Sequence, residues 1–250
     1  MHKLNQMSFP FFNTFMSEEL AQTNQGGGSL IDVPQSKYDQ QAMESVSAGD
    51  SKFLPRLQLM TTRSEKVELG QFPANHFALV ESQNFKDLGE SVDILLIAWR
   101  PKALDTGGED IITCYDPKFD DDNQPTGEFK RIQEKSKEQN SGCMYGPEYL
   151  CYLPAIKKYA TFFCGSITLR FEAPAFSNRL GNAATLRPHM IDAKKKKQKY
   201  FSTKVFDCTT VFDVPDQAEI AKVSNEFLNP SEDGPEGTTD EEAASTERAQ

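Results

Sequence analysis

Val92-Asp-Ile-Leu-Leu-Ile-Ala-Trp99 is the stretch on which the fold turns. Within it, Ile94 to Trp99 forms the longest clean apolar run in the chain, six residues. A bilayer span needs roughly 20. A run of this length, rich in aliphatics, is what a central strand covered on both faces shows. Upstream, residues 76–81 (His-Phe-Ala-Leu-Val-Glu) read as a second strand, and residues 84–90 with Gly89 as the connection between the two. Residues 53–62 place Leu57, Leu59 and Thr61 at period two against Arg56, Gln58 and Met60, the alternation of a first strand. Downstream, residues 111–115 are β-type, and the loop 116–127 follows. Residues 130–139 are polar, either a surface helix or more loop, and residues 159–164 are aromatic and β-favouring. Residues 175–180, stopped by Gly181, read as a short helical turn. Residues 184–193 and 200–209 flank a lysine run and predict a basic hairpin. Pro215 then opens an amphipathic helix over 216–228, with Ile220, Val223 and Phe227 at helical spacing.

Short strands with few helices predict a mainly β fold. The particular expectation is an OB-fold-like antiparallel barrel of five strands, formed as one domain by residues 51–229. Residues 1–50 are Gln-rich, contain Gly26, Gly27 and Gly28, and hold few aliphatics after Met16. Such a segment buries too little apolar surface to offset its ordering entropy, which predicts a mostly disordered arm. Its exception is Phe9-Pro-Phe-Phe-Asn-Thr-Phe15, four phenylalanines in seven residues, able to dock on the core or on another subunit. Residues 230–250 are predicted to be a disordered acidic tail.

The chain has 250 residues, enough for a proper core, and a formal charge of −10 from 37 acidic and 27 basic side chains. The distribution matters more than the total. Residues 230–250 carry Glu232, Asp233, Glu236, Asp240, Glu241, Glu242 and Glu247 against Arg248 alone. Residues 1–50 are acidic too, so residues 51–229 balance to neutrality, with 24 acids and 24 bases. Those bases cluster: Lys194, Lys195, Lys196, Lys197 and Lys199, then Lys157 with Lys158, Lys130 with Arg131, and Arg100 with Lys102. A neutral total can hide a basic face. Five cysteines, odd in number and never spaced C-x-x-C, indicate neither a disulfide framework nor a zinc knuckle, and point to a reducing, cytoplasmic compartment. No signal peptide and no membrane association are expected.

Catalytic signatures are missing. No H-E-x-x-H, G-x-S-x-G, G-x-x-x-x-G-K-[ST] or G-x-G-x-x-G occurs, and the three histidines, His2, His76 and His189, form no recognisable constellation. His76 reads as structural, and His189, beside basic residues, as a nucleic-acid contact. Asp120-Asp-Asp122-Asn123 is the best metal candidate, but it lacks the EF-hand glycine and distal glutamate, and a solvated turn is the better account. Asp93, Glu109 and Asp116 could in principle meet as a nuclease-type carboxylate set. The expectation is a non-enzyme without cofactor or metal.

A binding argument remains. Unpaired bases stack on aromatic rings for roughly 1–3 kcal/mol each, and cations along a groove neutralise phosphates. Trp99-Arg-Pro-Lys102 and Lys197-Gln-Lys-Tyr-Phe201 interleave rings with cations, and Tyr145, Tyr149 and Tyr152 precede Lys157 and Lys158. A tryptophan ending an apolar strand is core more often than platform, and it is the interleaving at three places that favours a binding role. The expected contacts are Arg56, Trp99, Arg100, Lys102, Tyr145, Tyr152, Arg170, Arg187, Lys195, Lys197, Lys199, Tyr200 and Phe201.

A compact domain followed by a polyanionic tail resembles the layout of bacterial and bacteriophage single-stranded-DNA-binding proteins. Phe53-Leu-Pro-Arg-Leu-Gln-Leu59, Leu88-Gly-Glu-Ser-Val-Asp-Ile-Leu-Leu-Ile-Ala-Trp-Arg-Pro-Lys-Ala-Leu104 and Ser141-Gly-Cys-Met-Tyr-Gly-Pro-Glu-Tyr149 look similar to uncharacterised bacteriophage proteins, over about residues 50–212. The resemblance implies coating of single-stranded DNA during viral replication or recombination, in the host cytoplasm, with the tail competing for the groove or engaging replication or recombination proteins. Unlike the bacterial pattern, the tail ends Thr-Glu-Arg-Ala-Gln250 without an apolar tip. Two other readings stay open, a viral structural or assembly protein and a metal-dependent nuclease, as does a homo-oligomer.

Overall fold

β4 (Val92–Asp105) is the spine of the molecule, longer than the apolar run that announces it because it continues through Arg100, Pro101 and Lys102 to Asp105. Its partner along that length is the antiparallel β8 (Cys143–Leu153), from Asp105 opposite Cys143 to Leu95 opposite Tyr152. The register shifts between Leu96 and Ala98, so Ile97 is the extra residue of a β-bulge. The bulge resets the alternation: Ile94, Leu96 and Trp99 enter one core layer, while Leu95, Ile97 and Ala98 enter the other.

The computed structural model describes residues 29–33, 54–115, 117–119, 125–138, 140–193 and 198–229. Around β4 and β8 stand β1 (Arg56–Met60), β2 (His76–Glu81), β3 (Asn84–Gly89), β5 (Ile112–Cys114), β9 (Lys158–Phe163), β10 (Ala183–Ala193) and β11 (Gln198–Asp207). They complete one nine-stranded sheet ordered β11-β10-β4-β8-β9-β1-β2-β3, with β5 also on β4. The sheet curls into a half-barrel, and strand outweighs helix. The mainly β expectation holds; the five-strand count was too small. β3 occupies the connection predicted at residues 84–90, and β8 carries Tyr145, Tyr149 and Tyr152, predicted as stacking platforms. One pair is parallel, β1 with β9 through Arg56 and Thr161. A separate two-stranded ladder joins β6 (Lys118–Phe119) to β7 (Pro125–Thr126).

Helices cover both faces of the sheet, which is why β4 reads as continuously apolar rather than alternating. After the short α1 (Glu65–Glu68) and the amphipathic α2 (Gly127–Lys135), α3 (Ile167–Ser177) closes the first layer. Its Phe176 stacks between Tyr149 and Phe162, each 5.3 Å away by ring centroid. Tyr149 is fully buried, and its hydroxyl meets the Ala173 carbonyl at 3.0 Å and Ser177 Oγ at 2.9 Å. Helix α3 begins well before the short turn expected at 175–180: Ser166 caps it through Leu169 N–H, and Pro174 lies inside it. Helix α4 (Gln217–Leu228), capped by Asp216, closes the second layer with Ile220, Phe227 and Leu228, matching the amphipathic expectation.

Within the arm expected to be mostly disordered, residues 29–33 are ordered against the domain. Leu30 N–H donates to the Gly181 carbonyl at 2.9 Å, Ile31 is buried in the second layer, and Gln217 Nε2 reaches the Asp32 carbonyl at 3.1 Å. Gly181 has φ +77°, and a Cβ there would stand 2.0 Å from Ser29 Oγ. Glycine serves both the left-handed helix exit and the close approach of the incoming chain. The rest of the arm and the tail lie outside the described residues.

Candidate nucleic-acid interface

Four of the residues expected to touch nucleic acid are inside the protein, two held there by a buried charge and two by packing. Arg100 and Glu148 are register partners across β4 and β8, both buried. Arg100 donates from Nε at 2.8 Å and from Nη2 at 2.7 Å to Glu148 Oε2, and Lys102 Nζ lies 3.0 Å from Oε1. The third arm of Arg100, Nη1, donates to the Phe227 carbonyl at 2.5 Å. Its guanidinium lies between the rings of Tyr115, at 3.7 Å, and Phe227, at 4.2 Å. Burial pushes the Glu148 carboxyl up, but the charges and hydrogen bonds of Lys102 and Arg100 outweigh it and hold the group below its ordinary value. Arg100 therefore clamps the last turn of α4 to the sheet, where carbonyls without helical partners favour a cation. Trp99 packs in the first layer opposite Tyr149, and Tyr152 packs against Tyr159 in the second, 5.2 Å between centroids. As contacts for bases or phosphates, Trp99, Arg100, Lys102 and Tyr152 are corrected to structural residues.

Three more expected residues are placed apart from any shared surface. Arg56 is half-buried on β1, five strand spacings from β11, roughly 24 Å across the sheet. Arg170 stacks on the Tyr145 ring at 4.0 Å and donates from Nη1 to the Tyr145 carbonyl at 2.9 Å and the Gly165 carbonyl at 3.0 Å. That pair closes the junction between β8 and α3.

The remainder converge on the β10–β11 hairpin. β10 pairs with β4 only over residues 183–186; from Arg187 to Ala193 its strand partner, among the described strands, is β11 alone. Seven residues at strand rise carry this ribbon about 20 Å past the sheet. Arg187 stands opposite Lys204 and His189 opposite Ser202, on one face by alternation. The Phe206 ring, 5.6 Å from the Arg187 guanidinium, shares that face and is partly open to solvent. Among the described residues neither Arg187 nor Lys204 makes an ion pair, whereas Arg179 is held by Asp207 at 2.8 Å. On the other face, Met190 stands opposite Phe201 and Lys199 opposite Asp192. Tyr200, opposite Ile191 and so by alternation on the Arg187–Lys204 face, has its hydroxyl 2.9 Å from Thr168 Oγ1 on α3, tying the ribbon to the helix. Lys195 and Lys197 lie outside the described residues, between β10 and β11 in sequence.

Lys204, Phe206 and the register partner Ser202 were missed. The signal was there: a hairpin centred on Lys194 to Lys197 fixes every cross-strand pair, Arg187 with Lys204 included. Among the described residues no three His, Cys, Asp or Glu side chains converge as a metal site. Asp93 accepts a hydrogen bond from Thr185 Oγ1 at 2.6 Å, Glu109 is exposed, and Asp116 and residues 120–123 lie outside the described residues. No described helix is long and apolar enough to cross a membrane.

Sheet and ribbon together define a mainly β protein with a curled sheet and a projecting cationic arm. Comparison with known protein families, curated proteins and solved structures returns no match.

Proposed function

We propose that the protein binds single-stranded DNA without sequence specificity, as a coat in viral DNA replication or recombination, and that the strand lies along the Arg187–Lys204 face of the ribbon. The observation that carries this reading is the projecting ribbon itself. Among the described residues it presents two cations without an ion pair and an accessible ring on one face, and four consecutive lysines follow β10 in the sequence. Cations at strand spacing suit a phosphate backbone, and a ring beside them gives a base a stacking partner without reading its edge.

The acidic tail fits the same arrangement. Asp93 is the register partner of Thr185, so alternation puts Arg187 on the side of the sheet that carries Leu95, Ile97 and α4. The tail follows α4 directly, and its 21 residues can extend to about 70 Å. A tethered polyanion starting on that side competes with DNA for the ribbon.

The test is binding of labelled oligo-dT to the full chain across a salt series. Affinity is expected to fall steeply as salt rises, with duplex DNA bound more weakly than the single strand. Binding indifferent to salt would overturn the reading.

A further inference from the structure

The outer face of α3 is apolar where a surface helix is normally polar. Its solvent-facing positions Ile167, Phe171 and Pro174 fall at i, i+4 and i+7, with Phe171 79% exposed and Ile167 59%. Helix α4 shows the ordinary pattern, facing solvent with Gln217, Glu219, Lys222 and Asn225. The inner face of α3 is already committed through Phe176, so burial on the core does not explain the stripe.

We propose that residues 9–15 of the same chain, Phe9-Pro-Phe-Phe-Asn-Thr-Phe15, pack on this stripe. The argument is one of tether and chemistry. Residues 29–33 are pinned at Gly181, four residues past the last residue of α3. Fourteen steps separate Phe15 from Ser29, a reach of about 46 Å, against a helix roughly 16 Å long. Gly26, Gly27 and Gly28 immediately before the anchor let the chain turn back in any direction. Residues 9–15 carry no charge and four rings, each able to bury roughly 150–250 Å², and the stripe carries no charge either. A tether of this length gives a millimolar effective concentration, so the same chain outcompetes a second copy at micromolar protein. The stripe residues Ile167, Phe171 and Pro174 are distinct from Arg187, Lys204 and Phe206, and exchange measured without DNA reads this contact separately from DNA binding.

Hydrogen exchange on the full chain, without DNA, tests the contact, comparing wild type with Phe171→Asp, Ile167→Asp and the double variant Phe11→Ser/Phe12→Ser. Both helix substitutions are at exposed positions, and an unchanged far-UV circular dichroism spectrum confirms the fold. Each helix variant is expected to speed exchange of residues 9–15 by about tenfold, the protection a contact of 0.1 mM intrinsic affinity gains at millimolar effective concentration. The double serine variant is expected to speed exchange in the first turns of α3, with monomer mass by light scattering in every case. Unchanged exchange of residues 9–15 in Phe171→Asp and Ile167→Asp overturns the proposal. So does protection that disappears on dilution together with a doubled mass, which would make the occupant a second copy.

Discussion

Arg187 and Lys204 face each other directly across the β10–β11 ribbon, a like-charged cross-strand pair with no carboxylate to relieve it among the described residues. Such a pairing costs stability in the free protein. A phosphate between the two removes the repulsion, so the unfavourable pair is a reason to bind an anion. Replacing both with glutamine is expected to stabilise the fold slightly while lowering the slope of log affinity against log salt by about 1.4 on a single strand. Oligo-dT titrations at four salt concentrations, alongside urea unfolding, read both effects. Glutamine at Arg100 or Lys102 should instead show up in stability.

Removing residues 230–250 is expected to tighten binding of oligo-dT at low salt and to make little difference at high salt, because self-competition by the tail is screened over a Debye length of about 10 Å at 0.1 M. Equal affinities of the full and shortened chains at low salt would remove the tail from the mechanism.

Glu148→Gln strips the anion from beneath Arg100 and Lys102 and leaves two buried cations without it. The expected loss is about 3–5 kcal/mol in chemical denaturation, with α4 loosened first because its Phe227 carbonyl depends on the orientation of Arg100. Acid acts on the same carboxylate. Because the folded protein holds Glu148 below its ordinary 4.5, its stabilising contribution is complete above that value and drains away as pH falls through the lower, folded value. Asp105 adds to this: burial pushes it up, but the Gly107 N–H, Cys143, Lys135 and Arg131 together hold it far below the usual carboxylate range. A pH series of urea midpoints should therefore be limited by these two groups only below pH 4.5.

Thiol reactivity should divide the five cysteines into two classes. Cys114 and Cys208 are half-exposed, whereas Cys143, Cys151 and Cys164 are buried. Burial, with the charge of Glu148 assisting, pushes Cys151 up to about 12, and burial with the Asp105 contact pushes Cys143 up to about 11. A thiolate-specific reagent at neutral pH is expected to label Cys114 and Cys208 in the native protein and the other three only after unfolding. Rapid native labelling of Cys151 would contradict the packing of β8 on β9.

The strands whose own pattern is strong were legible: β2 (His76–Glu81), the core of β4, the hairpin strands and the amphipathic α4 all follow from periodicity and turn residues. What periodicity cannot show is the partner. Glu148 is a lone acid in an otherwise apolar and aromatic strand, and only its position opposite Arg100 reveals that the Trp99-Arg-Pro-Lys102 segment is interior. β3 was taken for a connection because Asn84, Lys86 and Asp87 are exposed, as an edge strand permits. Helix α3 was shortened because Ile167 and Thr168 are β-branched and Pro174 interrupts it; Ser166 and packing against Tyr149 outweigh those local preferences.

The single extra residue at Ile97 has a consequence for how this chain tolerates change. Upstream of it β4 keeps one phase, and downstream it keeps the opposite one, so the strand is two inward-outward rhythms spliced at one position. Excising that residue would merge the two rhythms into one: Leu96 opposite Cys151, Ala98 opposite Leu150 and Trp99 opposite Tyr149 keep their partners and their faces. The indole, Arg100 and Lys102 therefore stay in place, and what is lost is the buried Ile97 side chain and the local twist.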